Sequence, residues 1–164
     1  VIFGPYDHFF NRFAQVMKMA PLVPVPCASA QFAPIFVGDV AHCFMVALED
    51  HATIGQRYDL CGPQSYTMQQ LMEYTAQVLG MRRRIIGLGP AASRVMASLM
   101  EFFPGKPFTR DNYLSMKTDS VCQDEFPAIF GTHRTALESV VPVYLNRRDQ
   151  RSRYYGYRRS AGRD

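Results

Sequence analysis

The sequence predicts an α/β fold whose strands pair mostly in parallel. Short β-prone apolar runs alternate with amphipathic segments of about a dozen residues, the pattern of strands joined by crossover helices. The run Phe32–Val37 is apolar throughout, as expected of a strand that is buried on both faces of a parallel sheet. A length of 164 residues suits one domain.

The first elements follow from breakers and capping residues. Ile2–Phe3 is predicted to be the end of a strand, because Gly4-Pro5 interrupts the apolar run. Asp7–Met19 begins with a capping aspartate and continues with apolar residues at helical spacing, and Pro21 ends that helix. Prolines also flank an extended piece over Leu22–Cys27.

A second strand–helix unit begins at Phe32–Val37. Asp39 follows this strand and is predicted to cap the helix that runs through Leu48, because its short acceptor side chain can satisfy free backbone N–H groups. Such a cap contributes about 1 kcal/mol, which is enough to account for Asp39. A contact between Asp39 and a substrate is the alternative interpretation.

The later elements carry similar signals. Thr67 and Gln70 stand at capping-box spacing before a helix that ends at Gly80. A strongly apolar helix is predicted over 91–103; its methionines are expected in the core, and a surface for a nonpolar ligand is the alternative. The other predicted elements are strands at Arg57–Gly62 and Arg83–Gly89 and helices at Thr109–Met116 and Arg134–Leu145.

The net charge of +4 is concentrated at one end of the chain. Residues 147–164 hold seven arginines and two aspartates, whereas residues 1–146 are slightly acidic together. We therefore expect a folded unit over 1–146 and a basic, disordered tail over 147–164. The folded unit gives no reason to expect nucleic acid as a partner, while the tail suits anionic lipid or a partner protein.

Motifs for catalysis, metal binding and nucleotide binding are missing from the sequence. A dinucleotide site needs several glycines in a strand-to-helix turn, but Gly87-Leu88-Gly89 is followed by Pro90 and lacks a third glycine. GxSxG, HExxH and GK[ST] do not occur. The four cysteines are far apart and include no CxxC pair, so neither a zinc site nor a disulfide framework is expected. We predict no catalytic residue and no metal ligand in this chain.

Single polar residues give weaker signals. His8 lies beside a predicted helix start and could face a cleft, the alternative being an exposed first-turn position. His42 is expected to be packed or solvent-facing. The run Arg82–Arg84 could bind an anion, although a solvated strand start also explains it.

Four segments occur in an order that is typical of one protein family: VIFGP, FAPIFVGDVA, YDLCGP and SYTMQQLMEYTAQVLG. The series resembles the C-terminal half of an extended or atypical short-chain dehydrogenase/reductase of the NAD-dependent epimerase/dehydratase type. Two stretches, VIFGPYDHFFNRFAQ and PFTRDN, are most similar to the branch of the NADPH-binding accessory subunit of respiratory complex I and its bacterial relatives.

The resemblance implies the C-terminal part of a Rossmann-like doubly wound parallel sheet with a small substrate lobe. In this family the nucleotide loop GxxGxxG and the catalytic YxxxK pair precede the VIFGP strand. Neither is found here, so we expect the N-terminal nucleotide-binding half to be missing. Tyr113 and Lys117 match YxxxK by letter, but they follow the last predicted strand and are interpreted as coincidence.

The resemblance also implies a site at the start of the chain. In the intact parent the cofactor is NADP or NAD, and one segment of the family lies beside its nicotinamide end. The positions that match this segment are Ile2, Phe3, Gly4 and Pro5. The positions matched to the substrate cleft are Asp7, His8, Phe9, Phe36, Val37 and Asp39. No cofactor is expected for this chain alone.

Three functions remain open from the sequence. The chain is the C-terminal part of an NAD(P)-binding protein of the complex I accessory-subunit type, with a structural nucleotide. Alternatively, it is half of an active NAD(P)-dependent oxidoreductase or epimerase that acts on a hydrophobic or quinone-related substrate. A stand-alone, non-enzymatic interaction domain is the third possibility. The first two need the missing half or another chain to complete the sheet, in the cytoplasm or at the surface of the inner membrane.

Overall fold

The computed structural model describes residues 1–100, 108–131 and 133–145. The predicted tail over 147–164 and the end of the predicted helix 91–103 lie outside these residues. Short 3₁₀ helices occur at His51–Thr53 and Ala128–Phe130. The strands and α-helices, in chain order, are β1 (Ile2–Phe3), α1 (Phe10–Met19), β2 (Leu22–Val25), β3 (Gln31–Phe32), β4 (Ile35–Phe36), α2 (Val37–Glu49), β5 (Tyr66–Thr67), α3 (Met68–Val78), β6 (Arg84–Gly87), α4 (Pro90–Met100), α5 (Arg110–Ser115) and α6 (137–145).

The strands described above form three two-stranded sheets, of which two are parallel. β1 lies beside β4 and β2 beside β6, both in parallel, while β3 and β5 are antiparallel. The parallel partners are separated along the chain by helices, as an α/β fold requires. The predicted α/β class is therefore confirmed. Within the described part of the chain, every helix is too short or too polar to cross a bilayer.

The core lies between three helices and the first two strands. α1, α3 and α6 contribute Phe10, Leu71 and Val141, all fully buried, and Phe3 and Val23 come from β1 and β2. Short-range sequence patterns predicted the start of α3 correctly. The predicted capping box of α3 is present, since Thr67 and Gln70 exchange both side chain–backbone bonds.

Two strand predictions were wrong. The run Phe32–Val37 is divided between β3 and β4, because Pro34 has no N–H to continue a ladder and the chain passes from one strand pair to another there. Val37 already belongs to α2. Arg57–Gly62 is not a strand; its last residue donates one N–H to the carbonyl of Ala33 at 3.4 Å, and no regular ladder follows among the described residues.

The expectation that the cysteines form no disulfide was also wrong. Cys61 and Cys122 are bonded, with Cα atoms 6.1 Å apart. Their sequence separation of 61 residues gives no local spacing signal, so only the tertiary fold could reveal the pair. Cys27 and Cys43 are free thiols, and burial raises the pKa of both.

Candidate functional site

β1 brings the predicted cofactor segment against the start of α2. Ile2 pairs with Ile35 of β4 and is 54% exposed, whereas Phe3 is fully buried. Gly4 then passes so close to α2 that a Cβ on it would lie 2.7 Å from Cγ1 of Val37. The two segments matched to cofactor and cleft thus meet at this point, with the exposed Pro5 beside them. Their contact with a cofactor stays a prediction.

The carboxylate of Asp7 closes the turn between β1 and α1. Its Oδ2 accepts from the backbone N–H of Gly4 at 3.1 Å, and its Oδ1 accepts from those of Phe9 and Asn11 at 3.0 and 3.2 Å. The hydroxyl of Tyr144 on α6 donates to Oδ2 at 2.6 Å. Asp7 therefore joins the turn, the beginning of α1 and α6 in one polar junction.

Three tyrosines around this junction hold their protons strongly. Burial, followed by the hydrogen bond to Asp7, raises the pKa of Tyr144 above the ordinary range of a phenol. Burial also raises the pKa of Tyr74 to about 12, and its hydroxyl is buried without a hydrogen-bond partner in the described part of the chain. Burial and a hydrogen bond to Glu138 raise the pKa of Tyr66. At neutral pH these phenols are therefore protonated and do not act as bases.

Asp39 makes a second polar junction, and the prediction that it caps its own helix was wrong. α2 begins two residues earlier, with Phe36 at the N-cap position. The Asp39 carboxylate instead accepts from the N–H and the hydroxyl of Thr135, at 2.7 and 2.8 Å. It therefore fixes the chain that leads into α6, while its place in the first turn of α2 still suits the helix dipole.

His8 and Phe9 line a cleft between α1 and α3 on one side and α4 and α5 on the other. Its volume is about 430 Å³. We call it the apolar cleft, because fourteen of its seventeen lining residues are hydrophobic. These residues are Phe9, Phe13, Val16, Met19, Ala20, Pro24, Val25, Pro26, Met68, Met72, Met96, Met100, Phe108 and Met116, and the polar ones are His8, Arg12 and Asn112.

The sequence contained part of the signal for this cleft. Met68 with Met72, and Met96 with Met100, are i, i+4 pairs on two helices, so each pair marks one apolar face. The sequence does not show which helices face each other, because that depends on the tertiary fold. Phe108 and Met116 belong to no apolar pattern that would have marked them as lining residues. The lining by α4 favours the alternative interpretation of its methionines, a surface for a nonpolar ligand.

The remaining candidates are not among the residues that form the two junctions. His42, His51 and His133 are exposed. Arg82–Arg84 borders an open depression beside α3, where Nε of Arg83 donates to the carbonyl of Met17 at 2.6 Å.

Two of the strand–helix turns, those before α1 and α4, do not fit a dinucleotide. A pyrophosphate needs free N–H groups in a glycine-rich turn. Before α1, such groups already donate to Asp7. Before α4, the N–H of Leu88 donates to Val25 at 2.8 Å, and the helix begins with Pro90, which has no N–H.

Comparison with known proteins places the chain in a wider context. No protein-family model matches it. Its sequence is 25% identical over 132 residues to NADH dehydrogenase (ubiquinone) 1 alpha subcomplex subunit 9, mitochondrial, of Arabidopsis thaliana, across 74% of this chain and 33% of that protein.

Two crystal structures share the fold. A presumed epimerase from Burkholderia cenocepacia J2315 superposes with a TM-score of 0.57 at 15% identity, over 88% of this chain and 43% of that one. A nucleoside-diphosphate-sugar epimerase from Staphylococcus aureus superposes with a TM-score of 0.55 at 16% identity, over 84% and 49%. The chain thus spans about a third of the curated relative and less than half of each solved structure. It has the Rossmann-like fold of these epimerase structures, and the resemblance predicted from its sequence, to an atypical short-chain dehydrogenase/reductase of the complex I accessory-subunit type, is confirmed.

Proposed function

We propose that this chain is the substrate-side, C-terminal part of an NAD(P)-binding short-chain dehydrogenase/reductase-like protein of the complex I accessory-subunit type. In this proposal the nucleotide has a structural role and is held by an N-terminal half that the present residues do not include. The similarity to the Arabidopsis subunit and the shared fold support the assignment. The turns before α1 and α4 offer no free N–H groups for a pyrophosphate, which supports placing nucleotide binding in the other half.

The observation that carries the proposal is an exposed apolar surface around β1 and α2. We call it the seam surface; its members are Ile2, Val37, Phe44, Met45 and Leu48, which are 45–84% exposed. Within the described residues β1 pairs with β4 alone, so its other edge presents unpaired backbone groups. Apolar surface of this kind, next to an open strand edge, is typical of a buried interface.

The proposed occupant of the seam surface is the nucleotide-binding half of the same fold, in the same polypeptide or as another chain. Two thirds of the Arabidopsis relative lies outside the region matched here. A protein of this type therefore contains further residues that can cover the seam surface. A strand added beside β1 would extend the parallel pair, and its helices would cover Phe44 and Leu48. This arrangement also counts against the stand-alone interaction domain.

The apolar cleft favours one alternative function, an active NAD(P)-dependent oxidoreductase or epimerase acting on a hydrophobic or quinone-related substrate. His8 and Phe9 line this cleft, although neither supplies the tyrosine and lysine that the chemistry of the family requires. In either case we propose a location in the cytoplasm, peripheral to the inner membrane, with the tail over 147–164 in contact with anionic lipid or a partner subunit.

The genomic sequence directly upstream of Val1 tests the proposal. A reading frame that continues upstream and encodes GxxGxxG supports it, and a YxxxK pair in that frame would favour the catalytic alternative over the structural one. A stop codon immediately upstream, without a neighbouring gene for the other half, would contradict the proposal.

A binding experiment provides the second test. Residues 1–164, titrated with NADPH and followed by nicotinamide fluorescence, are expected to show no measurable binding. A full-length NADP-binding reductase serves as the positive control. Micromolar affinity for NADPH would overturn the proposal, because it would require a phosphate site in this chain.

A further inference from the structure

The polar groups of the apolar cleft stand at its mouth. His8, Arg12 and Asn112 are all exposed, and among the described residues that line the cleft they are the only polar ones. Buried residues such as Val25 and Met68, which are 2% and 3% exposed, form the inner wall. A ligand that fills the cleft therefore meets hydrocarbon and thioether inside and polar groups where the cleft opens to solvent.

This distribution decides between two classes of ligand. A sugar carries hydroxyl groups that need hydrogen-bond partners, and burying them unpaired against an apolar wall weakens binding. A hydrocarbon chain gains free energy in the same place with each CH₂ group that it buries. The six methionines of the lining have unbranched side chains that adapt to a flexible occupant.

The elements that form the cleft also carry exposed apolar side chains. Met19 lines the cleft and is 85% exposed. α4 exposes Val95 and Leu99, and α5 exposes Leu114, each 57–61% accessible. Exposed apolar residues on the same elements suit a ligand that arrives from a lipid phase.

From these observations we propose that the apolar cleft binds the flexible hydrocarbon chain of an amphiphile, acyl or prenyl, with its polar headgroup beside His8 and Arg12. The inference rests on the proposed function, because it names the ligand class of the substrate side. It concerns residues of this chain alone and does not require nucleotide.

Fluorescence of cis-parinaric acid, added to residues 1–164, tests the proposal. We expect saturable binding to one site and displacement by oleic acid and by farnesol, which carry an acyl and a prenyl chain. UDP-glucose at the same concentration is expected to displace nothing. Displacement by UDP-glucose, or the absence of saturable binding, would overturn the proposal.

Variants locate the site. Val16→Phe fills the cleft from α1 and Met96→Lys places a charge in its wall, and each is expected to weaken binding about tenfold or more. Ser98→Lys, on the exposed side of α4, is the matched control for charge and should bind as the wild type does. If Met96→Lys does not fold, as judged by circular dichroism, Val16→Phe alone decides. Unchanged binding by folded Val16→Phe would overturn the assignment of the site.

The headgroup contact is tested separately with Arg12→Gln. The dissociation constants of cis-parinaric acid and oleic acid should rise several-fold, whereas the inhibition constant of uncharged farnesol, corrected for the weaker binding of the probe, should not change. An equal rise for both ligands would overturn the proposed headgroup contact. A failure of lipid binding leaves the proposed function intact, since that depends on a nucleotide-binding half outside these residues, and NADPH binding by the chain would overturn the proposed function alone.

Discussion

α1 and α2 follow the two strands of one parallel pair, yet they differ in burial. α1 follows β1 and buries Phe10, Ala14 and Met17 against α3 and α6. α2 follows β4 and buries Cys43 alone, while Phe44 and its apolar neighbours are exposed. The same sheet edge therefore has one helix whose apolar face is covered by this chain and another whose apolar face is open.

The difference also appears in how each helix is held. α1 is held by continuous packing, including an edge-to-face contact between Phe3 and Phe10 with ring centroids 6.0 Å apart. α2 depends on separate links: the bonds from Asp39 to Thr135, and the 3₁₀ helix Ala128–Phe130 that packs on it. The Cys61–Cys122 disulfide joins the segment after α2 to the segment before that 3₁₀ helix. This pattern is expected of a helix whose main partner lies elsewhere.

A pair of matched substitutions has the largest expected effect. Phe10→Ala should lower the free energy of unfolding by about 4 kcal/mol, because it leaves a cavity in the core. Phe44→Ala makes the same chemical change on a side chain that is 67% exposed, and should cost less than about 0.5 kcal/mol. Urea unfolding followed by circular dichroism measures both. Equal losses would contradict the comparison.

Reduction of the disulfide tests the links on the α2 side. Loss of the Cys61–Cys122 bond should lower stability by about 3 kcal/mol, mainly by releasing the loop in the unfolded chain. Dithiothreitol should therefore lower the melting temperature of the wild type and leave that of the Cys61→Ser, Cys122→Ser double variant unchanged. Hydrogen exchange should show α2 opening before α1. A wild-type melting temperature that does not respond to the reductant would exclude the bond.

The sequence correctly predicted the features that depend on residues close together along the chain. The capping box of α3 and the left-handed Gly80, with φ of +64°, are encoded within a few residues and were predicted correctly. So was α5, whose N-cap Thr109 accepts from the N–H of Asn112. Each signal relates residues that are three or four positions apart, where spacing alone fixes the geometry.

Features that join distant residues were missed. Asp39 lies 96 positions from Thr135, so no local pattern indicated their contact, and a cap on α2 or a contact with a substrate was predicted instead. The apolar cleft is lined by side chains from α1, α3, α4 and α5. Helical spacing identifies the apolar face of each helix, but it does not identify the helix that packs opposite that face. The resemblance to a known family was found because it depends on the order of several segments rather than on any single residue.

Removal of the hydrogen bond between Tyr144 and Asp7, on the α1 side, has the smallest expected effect on stability. It also changes how stability depends on pH. Tyr144→Phe removes a hydrogen bond to a carboxylate and should cost about 2 kcal/mol at neutral pH. Tyr74→Phe is the control: its hydroxyl has no partner among the described residues, so its loss should cost little.

The pKa of Tyr144 is raised in the folded state, so the unfolded chain releases this proton first, above pH of about 10. Stability from this group is complete below that pH and is lost as the pH rises toward the folded-state pKa. The wild type should lose stability more steeply above pH of about 10 than Tyr144→Phe does. Tyr74, with a pKa of about 12, adds a loss of the same sign, and Tyr66 and the thiols of the half-buried Cys27 and the buried Cys43 contribute similarly in all variants. Parallel alkaline unfolding curves for the wild type and Tyr144→Phe would mean that this hydroxyl titrates normally, and that α1 is held by packing without the polar junction.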